Sequence, residues 1–353
     1  MPSAVSKGAE VSGADWWNDS CSSAELNEAV SKGAVGSTSN PVILVQVLNA
    51  EKEKWVPKID ELISKFPSDT EAEIADRVNE MVVAEACEIL KPVHKRENGK
   101  KGYLSAQVNP QLYRSTEKMV EQGVFLANAG GADTNVMIKA PALPAGLAAM
   151  EELTYKGISI NATVSFTVSQ AVKAAEAVER GLKRREAEGL PVDKMGPVIT
   201  VMVGRVDDAL RKFVDSKKVT CDPGHLNWGG AAVFKKVWKL FKEKNLRATP
   251  LAAAYRCVFH WSEILGENVV TSMPYRWWKQ FDESDVEPRR SIEEDVPSEV
   301  MQTLTKLPLF GQFYDENLPE SEFMKLQPTK DTLTQFLTAR DDLLKIVRVR
   351  FLA

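Results

Sequence analysis

Cysteine and histidine are both scarce in this sequence, and neither occurs in a pattern that binds a metal. The 353 residues include four cysteines and three histidines. The cysteines form no CxxC pair and the histidines form no HExxH motif. No metal site is therefore predicted, and free thiols in a reducing compartment, such as the cytoplasm, are the simplest interpretation.

The sequence also lacks a long apolar run, an excess of basic residues and a GxxxxGK[ST] phosphate loop. The longest apolar stretch, residues 41–48, is too short to span a membrane, and residues 1–13 do not resemble a signal peptide. The net charge of −4 argues against a nucleic-acid partner. Two short basic runs, residues 91–101 and 235–244, are predicted to be solvated helix ends and loops. We expect a cytoplasmic protein with no membrane or nucleic-acid partner.

Strand-like and helix-like segments alternate through most of the chain. Helical stripes, such as the apolar residues recurring through 71–90, separate short apolar segments. The predicted strands are residues 15–19, 35–38, 102–108, 135–139, 158–164, 197–203, 251–255 and 268–272. About eight strands, each with a helical crossover, predict an α/β fold in which a single (β/α)8 TIM barrel occupies residues 1–353.

The end of the chain is predicted to be helical. Residues 283–297 are charged and contain proline, which is typical of a loop. Helices are predicted at 300–307 and 332–347. We expect residues 280–353 to form a helical extension that packs on the barrel.

Polar residues alternate with apolar ones along several predicted strands. In strand 158–164, Ser159, Asn161 and Thr163 share one face, opposite an apolar face that would pack on helices. The same alternation predicts further inward side chains, namely Tyr103, Ser105, Gln107, Asn109, Met137, Lys139, Thr200 and Met202. In such barrels the active site is built at the C-terminal strand ends.

Lys139 ends an apolar strand just before Ala140 and Pro141. There it would point into the barrel mouth, partly removed from water, and its pKa should fall. A neutral amine can attack a ketone and form a Schiff base. The structural alternative is a lysine whose chain reaches out of the strand end to solvent.

Several segments, in order along the chain, resemble the transaldolase family. Residues 36–44, GSTSNPVIL, resemble its T-[ST]-N-P signature, and residues 136–147, VMIKAPALPAGL, are similar to the segment that bears its Schiff-base lysine. Residues 157–163 (GISINAT), 203–208 (VGRVDD) and 252–256 resemble its later segments. The resemblance covers about residues 16–277.

That resemblance implies roles for particular residues. Lys139 would be the Schiff-base lysine, Asp19 would handle the substrate hydroxyl proton, and Thr163 would hold the water used in proton transfer. Arg205 and Arg256 would bind the sugar phosphate, a task that suits the planar guanidinium. The remaining expected substrate-binding residues are Asn40, Thr38, Asn161, Thr200 and Met202. No cofactor is implied, because the lysine itself supplies the electron sink.

The sequence departs from the family pattern at several of these positions. Gln107 stands where the family usually has glutamate, and a glutamine can orient a water but cannot exchange a proton as a carboxylic acid does. Related fructose-6-phosphate aldolases carry glutamine there. Met202 replaces the usual phenylalanine or tyrosine, while Thr200 and Ala254 replace serines.

Three functions are therefore weighed. The favoured one is a transaldolase of the pentose phosphate pathway, which transfers a dihydroxyacetone unit from a ketose phosphate to an aldose phosphate through Lys139. The second is an aldolase that releases free dihydroxyacetone, or a variant acting on a modified sugar; Gln107 argues for it, whereas long crossovers after the third and sixth strands argue for the first. The third is an inactive barrel that binds sugar phosphates. A homodimer is also considered.

Overall fold

The computed structural model describes residues 3–129, 131 and 134–353. Met1, Pro2, Gly130, Ala132 and Asp133, which the one-domain prediction included, lie outside the described residues. Eight parallel strands close into a barrel in sequence order, with β8 paired to β1. They are β1 (Asp15–Asn18), β2 (Gly36–Thr38), β3 (Tyr103–Gln107), β4 (Val136–Pro141), β5 (Ile160–Thr163), β6 (Val198–Val201), β7 (Thr249–Ala252) and β8 (Val270–Met273). The predicted (β/α)8 barrel is confirmed.

Helices surround the barrel and follow its last strand. They are α1 (Ala4–Ser12), α2 (Ser23–Ser31), α3 (Pro41–Ala50), α4 (Lys52–Lys65), α5 (Glu71–Arg96), α6 (Thr116–Ala127), α7 (Pro144–Tyr155), α8 (Val168–Ala187), α9 (Val203–Lys217), α10 (Gly229–Glu243), α11 (Phe259–Ser262), α12 (Tyr275–Asp282), α13 (Ser298–Leu304), α14 (Pro308–Tyr314), α15 (Glu320–Phe323) and α16 (Gln327–Phe351). Two short 3-10 helices are Pro110–Leu112 and His225–Trp228. None of the helices in the described ranges is both long and apolar enough for a membrane span.

The barrel interior divides into an apolar lower half and a polar upper half. The lower half is one buried cluster, formed by Trp17, Tyr103, Met137, Val198, Leu251, Ala253 and Val270. Gly36 makes room for the Trp17 ring, since a Cβ on Gly36 would lie 2.4 Å from Trp17 Cε2. Alternation along the strands then places the next inward side chains above this cluster, at the C-terminal mouth.

The last helix, α16, packs against α3, α4, α5 and α9. Its Arg340 is buried and donates to Asp76 Oδ1 of α5 at 2.9 Å. This helix therefore reaches helices that follow β2 and β6. The predicted loop at 283–297 contains no helix or strand, but the expected start of the extension at residue 280 falls inside α12. The division of the chain into one domain with an extension stays a prediction.

Three sequence-based expectations need correction. The sixth and seventh strands end at Val201 and Ala252, not at 203 and 255, because Val203 already opens α9 and residues 253–258 form an irregular loop. The longest crossover follows β2, not β3, because α3, α4 and α5 all lie within it. The basic run 235–244 is not solvated throughout, since Lys235 is buried.

Candidate active site

Lys139 occupies the inner face of β4, directly above the apolar half of the barrel. The strand register places it beside Gln107 of β3 and Asn161 of β5. Its side chain is only 5% exposed, and Nζ donates to the Ser39 carbonyl at 3.2 Å. The predicted inward position at the barrel mouth is thus what the structure shows. The alternative of a lysine reaching out to solvent is wrong, because the side chain is buried.

Burial lowers the pKa of Lys139, and the nearby Asp19 carboxylate opposes that shift. Asp19 follows β1 and is half-buried at the mouth. Burial raises the pKa of Asp19, while Lys139, Thr38 and Arg205 draw it back down. Burial thus shifts the pKa values of both groups toward neutral pH. Such pKa values suit a nucleophilic amine and a carboxyl group that exchanges protons.

A chain of hydroxyl groups orients Asp19. Thr38 Oγ1 donates to Asp19 Oδ1 at 2.5 Å and lies 2.7 Å from Ser272 Oγ of β8. Since the Thr38 hydroxyl hydrogen goes to the carboxylate, Ser272 is the donor to Thr38. Thr38 therefore supports the Asp19 carboxyl.

A second chain of hydrogen bonds crosses the barrel above the apolar cluster. Thr200 Oγ1 of β6 donates to Asn161 Oδ1 at 2.8 Å. Asn161 Nδ2 in turn donates to Ser105 Oγ of β3 at 2.9 Å. The amide of Asn161 is therefore held in one orientation beside Lys139.

Two buried polar atoms near Lys139 have no partner among the described residues. They are Gln107 Oε1 and Thr163 Oγ1, and Thr163 lies opposite Pro141 in the β4–β5 register. An unpartnered buried polar atom costs about 1–3 kcal/mol, so such atoms indicate a place for water or a ligand. The barrel mouth close to Lys139 is therefore suited to a water molecule or another polar ligand.

Asn40 has a structural task that limits its role at the site. Its Oδ1 accepts from the backbone N–H groups of Val42 at 2.9 Å and Ile43 at 3.1 Å, and so caps α3. The amide nitrogen is the part that a substrate hydroxyl could meet. Asn40 and Gln107 both border a cavity of about 20 Å³, which Arg340 of α16 also borders.

Arg205 and Arg256 lie on neighbouring segments after β6 and β7. Burial and the charge of Arg256 lower the pKa of Arg205. Arg205 Nη2 donates to Gln335 of α16, and Arg256 Nε donates to Asp208 at 2.9 Å. A cleft of about 400 Å³ reaches Arg205 from between α9 and α16, although Lys139 does not border it. The two arginines are the candidate anion-binding groups, and Arg256 is already paired with Asp208.

The chain was then compared with known proteins. The sequence model described as "Transaldolase/Fructose-6-phosphate aldolase" matches residues 16–345. This chain belongs to the transaldolase/fructose-6-phosphate aldolase family. The shared region contains the barrel from Trp16 onward and most of α16.

Several curated relatives of the family carry the name transaldolase. The chain is 28% identical to the "Transaldolase" of Trichodesmium erythraeum over 82% of this chain and 84% of that protein. It is 35% identical to the "Transaldolase" of Neisseria gonorrhoeae, where the match covers 53% of this chain and 52% of the relative. A match to the Mycobacterium bovis "Transaldolase" is 32% identical over 57% of this chain and 53% of that protein. The chain spans about half the length of the last two relatives.

The departures from the family pattern have visible structural settings. Met202 is the N-cap residue of α9 and is buried, with no side-chain hydrogen bond to the helix. Ala254 has a φ of 64°, a left-handed conformation that an alanine adopts at a cost. Neither residue has a side-chain hydroxyl group.

Sequence reasoning missed Ser272, which donates to Thr38, and the residues of α16 that reach the mouth. Ser272 is inward on β8, and the period-two alternation there could have indicated it. No local sequence pattern indicated that Gln335 and Arg340 lie near the site, because α16 is distant in sequence from the strands of the barrel.

One group in the described chain has the composition of a metal site. The ligand atoms of Asp207, Cys257 and His260 lie within 4.8 Å of one another. Asp207 and His260 are already bonded to each other at 2.8 Å, and Asp207 Oδ1 accepts from Gly230 N at 2.8 Å. These bonds give the group a structural explanation.

Proposed function

We propose that this chain is a transaldolase, which transfers a dihydroxyacetone unit between sugar phosphates through a Schiff base on Lys139. The observation that carries the proposal is the buried Lys139 amine, with its pKa lowered by burial and the Asp19 carboxyl nearby. Membership of the family and the transaldolase names of its relatives support the same reaction. Such a reaction belongs to the pentose phosphate pathway of carbohydrate metabolism.

The first half of the proposed reaction breaks a ketose. The Lys139 lone pair attacks the C2 carbonyl, and loss of water leaves an iminium ion. Asp19 then accepts the proton of the C4 hydroxyl while the C3–C4 electron pair moves toward the iminium. An aldose phosphate leaves, and a three-carbon enamine stays on Lys139.

The second half reverses these steps with another aldose. The enamine carbon attacks the acceptor aldehyde, and Asp19 returns its proton to the new hydroxyl oxygen. A water molecule then hydrolyses the iminium. Gln107 and Thr163 have the buried, unpartnered oxygen atoms that could orient this water. Asn161, held by Thr200 and Ser105, lies in register with Lys139 and would meet substrate hydroxyl groups.

The phosphate end of the substrate is assigned to Arg205 and Arg256. Burial and the charge of Arg256 lower the pKa of Arg205, although nearby carboxylates oppose the shift, and a phosphate would add a further negative charge beside the pair. The substrate would thus extend from Lys139 on β4 toward the loops after β6 and β7. Asn40 would contact hydroxyl groups at the opposite side of the mouth.

A second candidate is an aldolase that releases free dihydroxyacetone. Gln107 favours it, because the related fructose-6-phosphate aldolases carry glutamine at this position, where transaldolases usually have glutamate. The deciding experiment supplies fructose 6-phosphate labelled with 13C at C1, with and without erythrose 4-phosphate, and identifies the labelled product. Label in a seven-carbon ketose phosphate supports transfer. Label in free dihydroxyacetone at the same rate in both samples would contradict it.

Two further parts of the proposal concern context. A homodimer is proposed as the assembly, and light scattering of the purified chain would test it. A cytoplasmic location follows from the sugar phosphate substrates, and cell fractionation would test that.

A further inference from the structure

Arg256 lies in a segment with no helix or strand of its own. Residues 253–258 connect β7 to α11 without a helix or strand, and Ala254 within them is left-handed. The Arg256 side chain is exposed, so packing does not fix its position. Other contacts must therefore hold residues 253–258 in the position from which the Arg256 guanidinium could bind an anion.

The backbone of Arg256 is held by a buried histidine. Arg256 N donates to His260 Nδ1 at 3.0 Å, and His260 Nε2 lies 2.8 Å from Asp207 Oδ2. Because Nδ1 accepts a hydrogen, the hydrogen on Nε2 goes to the carboxylate. Both His260 and Asp207 are fully buried, which leaves little freedom to the pair.

Asp207 belongs to the same helix turn as Arg205. It lies two residues after Arg205 on α9, while His260 lies four residues after Arg256 on α11. The next residue, Asp208, accepts directly from Arg256 Nε at 2.9 Å. Successive aspartates thus tie down the Arg256 side chain and, through His260, its backbone.

The two arginine-bearing segments also touch at Gly204. A Cβ at Gly204 would lie 2.0 Å from the Ala254 carbonyl oxygen and 2.6 Å from Arg256 Cγ. This close approach brings two guanidinium groups together against their mutual repulsion. The Asp207–His260 pair crosses the same boundary and opposes their separation.

We propose that Asp207 and His260 are positioning residues, which set the spacing of Arg205 and Arg256 for a phosphate group. This inference rests on the proposed function for its substrate, but not for its geometry. The alternative is a purely structural bond, whose loss would lower stability without changing anion binding.

Two substitutions of His260 separate the roles of its two ring nitrogens. In His260→Gln the side-chain amide can reach Asp207 but offers no acceptor where Nδ1 lies. In His260→Asn the amide oxygen replaces Nδ1, so the Arg256 N–H keeps its acceptor. His225→Gln is the control, because His225 lies in the second 3-10 helix and its ring contacts Thr303 of α13, not Asp207 or either arginine.

The experiment measures inorganic phosphate binding by calorimetry, and KM and kcat with fructose 6-phosphate and with unphosphorylated fructose. For His260→Gln we expect about tenfold weaker phosphate binding and a similar rise in KM for the phosphorylated ketose, as for one lost positioned hydrogen bond. Its kcat and its KM for fructose should match wild type. His260→Asn keeps the acceptor for Arg256 N but loses the contact with Asp207, so its loss should be intermediate, and His225→Gln should lose nothing.

The outcomes distinguish this inference from the proposed function. Equal phosphate binding in all variants, with only the melting temperature lowered, would overturn the positioning role and leave the reaction at Lys139 standing. Suppose that the wild-type protein forms no Schiff base, but His260→Gln still binds phosphate more weakly than wild type does. The positioning role would then stand, and the proposed reaction would be rejected. A wild type that binds no phosphate would overturn the inference directly.

Discussion

Lys139 and Lys235 are both buried lysines, yet their surroundings differ in a way that separates chemistry from architecture. Lys235 of α10 donates to the carbonyl oxygens of Ser291 at 2.5 Å and Glu294 at 2.8 Å. Lys139 has one carbonyl partner at 3.2 Å. Burial lowers the pKa of both, and that of Lys235 falls to about 8. A lowered pKa alone therefore does not identify a nucleophile.

What sets Lys139 apart is the set of groups around it. Asp19 lies close enough to oppose the pKa shift, and Gln107 and Thr163 bring unpartnered oxygen atoms to the same mouth. Lys235 instead joins the segment around Ser291 to α10 through two backbone carbonyl acceptors. The proposed nucleophile is therefore the buried lysine that has unpartnered polar atoms around it.

The sharpest way to break this comparison is to remove each lysine in turn. Lys139→Ala should lower ketose turnover by roughly 10⁴-fold, because no other group can form the Schiff base. Lys235→Met, which keeps the apolar part of the side chain, should change turnover less than about twofold, as expected far from the site. Steady-state kinetics checks both. Comparable losses in the two variants would contradict the distinction.

Asp19→Asn should block the C3–C4 cleavage step, which follows Schiff-base formation on Lys139. The Schiff base should still form, but C3–C4 cleavage should slow by roughly 10²–10⁴-fold without the carboxylate that accepts the proton. Borohydride reduction followed by intact mass should then show a six-carbon phosphorylated adduct. A three-carbon adduct at the wild-type level would mean that another group takes the proton.

Gln107→Glu should make the surroundings of Lys139 more charged. A carboxylate there favours the ammonium form, so the pKa of Lys139 should rise. Activity increases as pH rises through that pKa, since the neutral amine attacks. The acid limb of the kcat/KM profile should therefore move to higher pH in this variant. Gln111→Glu, on the exposed 3-10 helix after β3, is the matched control and should leave the limb in place.

Lys235→Met should act on stability and not on catalysis. Two carbonyl groups lose a charged donor, which costs about 1–3 kcal/mol in the free energy of unfolding. Between pH about 8 and 10.5, the unfolded chain holds a proton on Lys235 that the folded chain has released. The contribution of Lys235 to stability therefore increases across that window. Chemical denaturation at several pH values should show wild type gaining stability relative to Lys235→Met as pH rises.

Strand periodicity was sufficient to predict the barrel and most of its inward residues. Ser159, Asn161 and Thr163 alternate with apolar neighbours, and the same alternation placed Lys139 above Met137. The strand ends were less accurate at β6 and β7. At both strands the apolar pattern continues past the strand, into α9 and into the loop that contains Arg256. The hydrophobic pattern therefore does not indicate where either strand ends.

Contacts between distant parts of the chain could not be predicted from local pattern. Lys235 lies in a run of basic residues that resembles a solvated helix end, yet the segment around Ser291 covers it. The contact of Gln335 with Arg205 likewise depends on where α16 comes to rest. The two contacts join residues that are 56 and 130 positions apart in the sequence.

The most direct test of the account is borohydride reduction of the protein with fructose 6-phosphate, followed by peptide mapping. We predict a three-carbon adduct on Lys139, absent from Lys235, that disappears when erythrose 4-phosphate is added before the reductant. An adduct on another lysine, or none with this ketose under turnover conditions, would contradict the role of Lys139.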